Sequence, residues 1–265
     1  MGAKAITVTS GKGGVGKTTT TANIGVSLAR LGKKVVVVDA DIGLRNLDVV
    51  MGLENRIVYD LVDVIEGRCK LRQAMIKHKQ FTDLYLIPAA QTRDKTAVSP
   101  SDMVALVRKL RPDFDFIVID SPAGIERGFR NAIAPADEVL IVTNPEVSAV
   151  RDADRIIGLI EAENKGPGQL ILNRVKMDMI RKGEMLSATD VTDILAIKII
   201  GIVPEDASVI PASNSGIPVT LNENSRAGLA FRNIARRLSG ENVPFMDLEA
   251  NSGFLQRLAR LFGQE

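Results

Sequence analysis

The chain alternates short apolar runs with longer stretches of mixed character. The runs at 5–9, 34–38, 84–87, 116–119, 139–143, 170–172 and 199–203 are almost continuously apolar. Strands buried on both faces of a sheet read this way, because successive side chains point to opposite faces and both faces must be apolar. A helical segment is predicted at 19–31, directly after the first run. Strand and helix in alternation predict one α/β domain with a doubly wound, mostly parallel sheet. In such a sheet the crossovers are right-handed and ligands bind beyond the strand C-termini.

That rule singles out the polar residues that follow apolar runs. Asp39 and Asp41 do so, as do the segment 120–124, Asn144, Asn173, Arg174, and the group Pro204, Glu205 and Asp206. Together they predict one polar rim. Periodicity is lost over 241–253, which reads as a linker after a domain spanning 1–240. A helical period returns in 254–265. At ~100° per residue, Phe254, Leu255, Leu258, Leu261 and Phe262 fall on one arc of ~160°, with Arg257 and Arg260 opposite. This amphipathic helix is only ~15 Å long, half a bilayer core, so it cannot span one. It can dock on the domain's own core or lie on a membrane surface. The irregular linker and the basic polar face favour the membrane.

Composition narrows the classes. The 265 residues carry a net charge of +2, too small to imply nucleic acid. No run approaches the ~18 residues of a membrane span. The first strand begins at once, which predicts no signal peptide. A lone cysteine, Cys69, excludes an intrachain disulfide framework, argues against zinc or iron–sulfur sites within one chain, and fits a reducing cytosol. The single histidine, His78, lies in a polar run and is expected to be solvated and not catalytic.

The sharpest chemical signal is Gly-Lys-Gly-Gly-Val-Gly-Lys-Thr at 11–18, which fits the phosphate-loop pattern G-x-x-x-x-G-K-[ST] between a strand and a helix. Gly11, Lys12, Gly13, Gly14, Val15 and Gly16 would wrap a phosphate with backbone N–H groups, and the helix N-terminus at Lys17, Thr18 and Thr19 adds positive potential. Lys17 supplies charge for the β- and γ-phosphates, and Thr18 supplies a hydroxyl for Mg²⁺. Asp120 suits the acid that holds Mg²⁺ or its water, and equally suits a helix cap or an Asx turn. Asp39 and Asp41 share one side of an extended segment, where Asp39 could hold metal-bound water and Asp41 the attacking water. Alternatively, Asp41 caps a helix near Leu44. Gly124 could donate its N–H to a γ-phosphate. Lys12 is surplus within one chain and could reach the phosphates of a facing subunit, or be a surface lysine. Asn173 could bind an adenine edge, and Arg174, Pro204, Glu205 and Asp206 are grouped with it. No guanine signature of the Asn-Lys-x-Asp type occurs, so ATP is expected.

These motifs, with the signature Lys12, resemble the deviant Walker A ATPases, the ParA–MinD family. The stretches DADIGLRNLDVVMG (39–52), IDSPAGIERG (119–128), TNPEVSAVRDADR (143–155) and IPASNSGIPV (210–219) extend the resemblance over nearly the whole chain, towards the septum-site branch. The resemblance implies a P-loop ATPase using ATP and Mg²⁺ that forms an ATP-dependent homodimer. It also implies reversible attachment to the cytoplasmic face of an anionic membrane, a division inhibitor of the MinC type as partner, and in many systems a MinE-type activator. It places Lys12 across the dimer interface, Asp41 at the attacking water, and Arg151, Asp152 and Asp154 on a partner-facing helix. The tail carries only two arginines, Arg257 and Arg260, so attraction to anionic lipid is expected to be weak. A DNA-partitioning ATPase of the same superfamily is the main alternative, but no specific nucleic acid is expected.

Overall fold

A computed structural model of the chain describes residues 2–248. The expected amphipathic helix 254–265, with Phe254, Leu255, Leu258, Leu261 and Phe262, and the linker beyond 248 lie outside the described residues.

The strands are β1 (Lys4–Thr9), β2 (Val35–Asp39), β3 (Ile76–Lys77), β4 (Leu84–Ile87), β5 (Phe116–Asp120), β6 (Glu138–Thr143), β7 (Gln169–Val175) and β8 (Ile199–Pro204). The helices are α1 (Lys17–Arg30), α2 (Leu47–Val50), α3 (Leu61–Ile65), α4 (Leu71–Ala74), α5 (Pro100–Leu110), α6 (Arg127–Ile133), α7 (Val147–Ala162), α8 (Met177–Arg181), α9 (Ala188–Leu195), α10 (Val209–Asn214) and α11 (Arg226–Leu238). The strands form one sheet in the order β3-β4-β2-β5-β1-β6-β7-β8. All of its pairs are parallel except β3 with β4. Every apolar run in the sequence became a strand, because each is long enough to cross the sheet and apolar at both parities.

Alternation decides what each face packs against. Ile6, Val8, Val35, Val37, Leu140 and Val142 face α1, α2, α10 and α11. Ala5, Val36, Val38, Ile117 and Ile119 face the layer holding α3, α5 and α6. Val139, Ile141, Leu170 and Leu172 continue that second face against α7 and α9. Burying a Val or Ile fully is worth about 1.5–3 kcal/mol, so a register slip that exchanged the faces would be costly.

β3 has no counterpart among the predicted strands. It is too short to carry a period, and it exists because 78–83 fold back so that the His78 N–H reaches the Leu84 carbonyl at 2.8 Å. That turn overturns the expectation of a solvated His78. The ring is buried, its Nδ1 accepts from the Gln80 N–H at 3.1 Å, and its centroid lies 5.4 Å from that of Phe81. Burial, then the charges of Lys79 and Arg56, hold its pKa below the ordinary value, so the neutral ring fits its apolar neighbour.

Candidate nucleotide site at the strand ends

β1 delivers the chain to the rim in the middle of the sheet, and the loop 10–16 turns it into α1. Gly16, with φ of 94°, begins the helix in the left-handed region and no side chain caps it. A Cβ at this position would collide with Asn173 Nδ2. Glycine satisfies both the torsion and the close approach. Asn173 meanwhile donates from Nδ2 to the Val15 carbonyl at 2.8 Å. The base-side asparagine expected from the sequence is therefore also a brace for the phosphate loop. Gly11, at the root of the loop, packs against the Asp152 backbone of α7 so closely that a Cβ has no space.

A buried acid pair lies under the start of α1. Asp39 ends β2 and Asp120 ends β5, and the two are register partners in the sheet. Lys17 Nζ stands 3.1 Å from Asp120 Oδ1, with both side chains buried. Thr18 Oγ1 donates to Asp120 Oδ2 at 2.7 Å, and Thr21 Oγ1 donates to Oδ1 at 2.9 Å. Asp39 accepts from the Asp41 N–H at 3.0 Å and from the Leu47 N–H, at the start of α2, at 3.2 Å. The cap, the alternative role for Asp41, is thus supplied by Asp39, and α2 starts at Leu47 after a turn that joins the Leu44 N–H to the Asp41 carbonyl. Asp41 itself is half-exposed while Asp39 is buried, so the two acids occupy different environments. Burial first, then the neighbouring Asp120 carboxylate, push Asp39 up to about 7 against the N–H groups of Asp41 and Leu47 and the charge of Lys17.

This donor set fits Mg²⁺. Thr18 hydroxyl, Asp120 carboxylate and Asp39 carboxylate are all hard oxygen donors. Among the described residues no three His, Cys, Asp or Glu side chains form a ready-made metal cage. A cation held here would take its remaining ligands from phosphate and water, as Mg²⁺ commonly does.

Lys12 is exposed at the mouth of the loop, its Nζ 3.4 Å from the Ser148 hydroxyl on α7. Arg151 and Asp154 on α7 are exposed, and Asp152 is half-buried, 3.7 Å from Arg155. Gly124 has φ of 90°, and its N–H donates to the Ser10 carbonyl at 3.0 Å. That bond ties the segment after β5 to the root of the phosphate loop, and a γ-phosphate would have to take the N–H from Ser10.

The base-side residues converge. Gly16, Thr19, Asn173, Arg174, Pro204, Glu205 and Asp206 line one pocket beside the phosphate loop. Val209, Ile210 and Phe231 complete it. Their part was illegible because α10 and α11 come to the site only through tertiary packing. Arg174 lies in the left-handed region with φ of 56°, on the rim side of β7. Asp206 accepts from the Ser208 hydroxyl at 2.6 Å and N–H at 2.9 Å, and from the Ser225 hydroxyl at 2.7 Å and the Ala227 N–H at 3.1 Å. Burial alone would raise its pKa, but these four donors outweigh it and hold the carboxyl at about 2. Its carboxylate is therefore spent on joining β8 to α10 and α11. Thr21 and Ser148 are the other contributors missed, although Thr21 lies one helical turn beyond Lys17 and that spacing could have revealed it.

A family model described as an AAA domain matches residues 3–166. The chain is 55% identical over 263 residues to the septum site-determining protein MinD of Bacillus subtilis (strain 168), covering 98% of each. It is similar in structure to a chain of a MinC:MinD cell division protein complex from Aquifex aeolicus, with a TM-score of 0.87, 50% identity, and coverage of 92% of this chain and 99% of that one. The septum site-determining protein MinD complexed with Mg-ADP from Pyrococcus horikoshii OT3 matches with a TM-score of 0.80 at 30% identity, covering 94% of this chain and 98% of that one.

Proposed function

The chain belongs to the MinD family of septum site-determining ATPases, and from that premise we propose that it is an ATP-driven dimer switch that places a division inhibitor on the membrane. The observation that carries this reading is the convergence of Lys17, Thr18 and Asp120 under the phosphate loop, with one pocket beside it lined by the base-side residues. The loop N–H groups and the α1 N-terminus receive the phosphates. Lys17 gives its charge to the β- and γ-oxygens, exchanging Asp120 for phosphate. Thr18 and Asp120, with Asp39 behind them, would hold Mg²⁺. When bound, that cation offsets charge developing on the transferred phosphoryl group. Asp41 orients the attacking water, its backbone fixed by the Asp39 carboxylate. Lys12, exposed at the mouth, serves the nucleotide of a second copy.

The domain organisation follows the same reading: residues 1–240 form the ATPase unit and 254–265 the membrane-targeting helix. Among the described residues no helix is long and apolar enough to cross a membrane; the proposed attachment is peripheral, through 254–265, on the cytoplasmic face. One amphipathic helix binds marginally, whereas two on an ATP dimer gain avidity of order 10² or more. Arg151, Asp152 and Asp154 offer α7 to a partner of the MinC type, or to a MinE-type activator, and the packing of Gly11 on Asp152 connects that surface to the loop.

Sedimentation with anionic vesicles in ATP, in ADP and without nucleotide tests the reading. Wild type should bind best in ATP. Lys12→Ala should lose that preference while still binding nucleotide, and Leu258→Glu should stay in solution while still hydrolysing ATP. Vesicle binding that ignores nucleotide, or that DNA competes away, would replace the proposal with a partitioning role.

A further inference from the structure

The segment that leaves α11 does not hang free. Arg237, in the last turn of α11, donates from Nε to the Val243 carbonyl at 2.9 Å and from Nη2 to the Pro244 carbonyl at 2.8 Å. Its Nη1 donates to the Ile200 carbonyl of β8 at 2.9 Å. The guanidinium also lies over the Phe245 ring, 4.4 Å from its centroid. At the other end of the same helix, Arg226 Nη2 donates to the Asp247 carbonyl at 2.8 Å. Met246 packs on the core beneath α11, and Leu248, like Ile199 and Ile202, packs against the core on the opposite face of the sheet.

These contacts give the segment a direction. Arg237 marks the end of β8 away from the nucleotide, since it bonds Ile200 near the strand's start. Arg226 marks the rim, since its neighbour Ala227 donates to Asp206 just beyond β8. α11 has 13 residues, about 19 Å at 1.5 Å per residue. Residues 244–247, between the Arg237 anchor and the Arg226 anchor, cover at most roughly 10 Å, and the two long arginine side chains bridge the rest. The segment is therefore a strap that turns back along α11, held by an arginine from each end of that helix. It turns the chain from the far pole of the domain back toward the nucleotide rim.

We infer that Arg237, with Arg226 beyond it, is a positioning residue that turns the C-terminal segment back toward the rim end of β8, so that both tails of a dimer leave in a fixed direction and at a fixed spacing. The consequence for lipid rests on the membrane reading proposed above, whereas the latch itself does not. A guanidinium suits this task because its planar fork reaches three carbonyls and stacks on a ring at once, which an ammonium cannot do.

The test uses the full chain with spin labels at Asp247→Cys and Glu161→Cys on a Cys69→Ser background. The parent should give one narrow distance distribution. Arg237→Met should broaden it, Phe245→Ser should broaden it less, and Arg237→Lys should fall between parent and Met. Lipid-free ATP turnover should stay at the parental level in all three. Binding of Arg237→Met to phosphatidylglycerol vesicles in ATP should weaken about three- to tenfold, because the freed strap lowers effective concentration. An unchanged distribution in Arg237→Met, or in Phe245→Ser should the first variant fail to fold, would overturn the latch. A broadened distribution with parental vesicle binding would overturn the positioning role. Leu258→Glu in the same assay separates the readings: if it binds vesicles as the parent does, the membrane helix fails while the distances still decide the latch.

Discussion

Asp39 and Asp206 both stand at the C-terminal ends of strands on one rim, yet they are held in opposite states. Burial raises the proton affinity of each. At the end of β2 a second carboxylate, Asp120, adds to that, and two N–H groups and Lys17 do not compensate, so Asp39 sits at about 7. Just beyond β8 four donors converge on one carboxylate, and Asp206 sits at about 2. An acid after an apolar run is thus a sign of position only. Where donors saturate it, the acid is a clamp. Where another acid faces it across the register, the site has more negative charge than the protein itself can satisfy, and it suits a cation and a phosphate ligand.

The largest expected effect comes from deepening that imbalance. Lys17→Ala removes the cation beside Asp120 and leaves two buried carboxylates facing each other. Removing one partner of a buried pair costs about 3–5 kcal/mol. Urea unfolding without metal or nucleotide should show a loss of that order at pH 8, shrinking at lower pH as the pair takes up a proton. ATP turnover should fall at least about 10²-fold, since a charge aimed at the transition state is gone. Near-parental turnover with parental stability would show that Lys17 serves neither the pair nor the phosphates.

Asp39→Asn tests the pair from the other side. The folded value of about 7 lies above the ordinary 3.8, so between them the folded chain binds more protons than the unfolded one. Asp39 therefore lends stability below pH 4, and that contribution is lost as pH rises through 7. The difference spans up to about 4 kcal/mol, at ~1.4 kcal/mol per pH unit. The metal-free Asn variant should lack this slope: relative to the parent it should be less stable at pH 4, where one accepted N–H bond is lost, and gain steadily toward pH 8. Parallel stability curves for the two proteins would remove the charge conflict from the comparison.

The difference between the two ends of the rim also explains what could be read from sequence. Everything that depends on neighbours along the chain was legible. The apolar runs became β1, β2 and β4 to β8, and 11–19 became a loop entering a helix. The residues grouped on the base side do line one pocket. What depends on a third partner was not. Asp206 reads like a ligand-facing acid until Ser225 and Ala227 arrive from α11. The cap weighed as the alternative for Asp41 falls away only once Asp39 is seen to hold the Leu47 N–H. His78 reads as solvated until a two-residue antiparallel strand turns it inward. The interval 241–248 reads as a linker because an extended strap bonded through an arginine has no period of its own.

The smallest effect is expected at Asp206. Asp206→Asn keeps the shape but replaces one acceptor oxygen with an NH₂ group, so either the Ser208 pair or the Ser225 and Ala227 pair of donors loses its acceptor. The cost should be roughly 1–3 kcal/mol at neutral pH. The folded value of about 2 lies below 3.8, so the folded chain binds fewer protons in that window. The clamp's contribution is present above pH 4 and fades as pH falls through 2, the reverse sign and a separate window from Asp39. Stability measured by urea unfolding at several pH values should therefore show the deficit of Asp206→Asn shrinking toward the acid end. Nucleotide affinity should change only a few-fold, because the carboxylate is committed to β8, α10 and α11 and only shapes the pocket. A loss of affinity as large as that of Lys17→Ala would make Asp206 a direct ligand and dissolve the contrast with Asp39. A deficit identical at pH 3 and pH 6 would mean that its donors do not hold the carboxylate in its charged form.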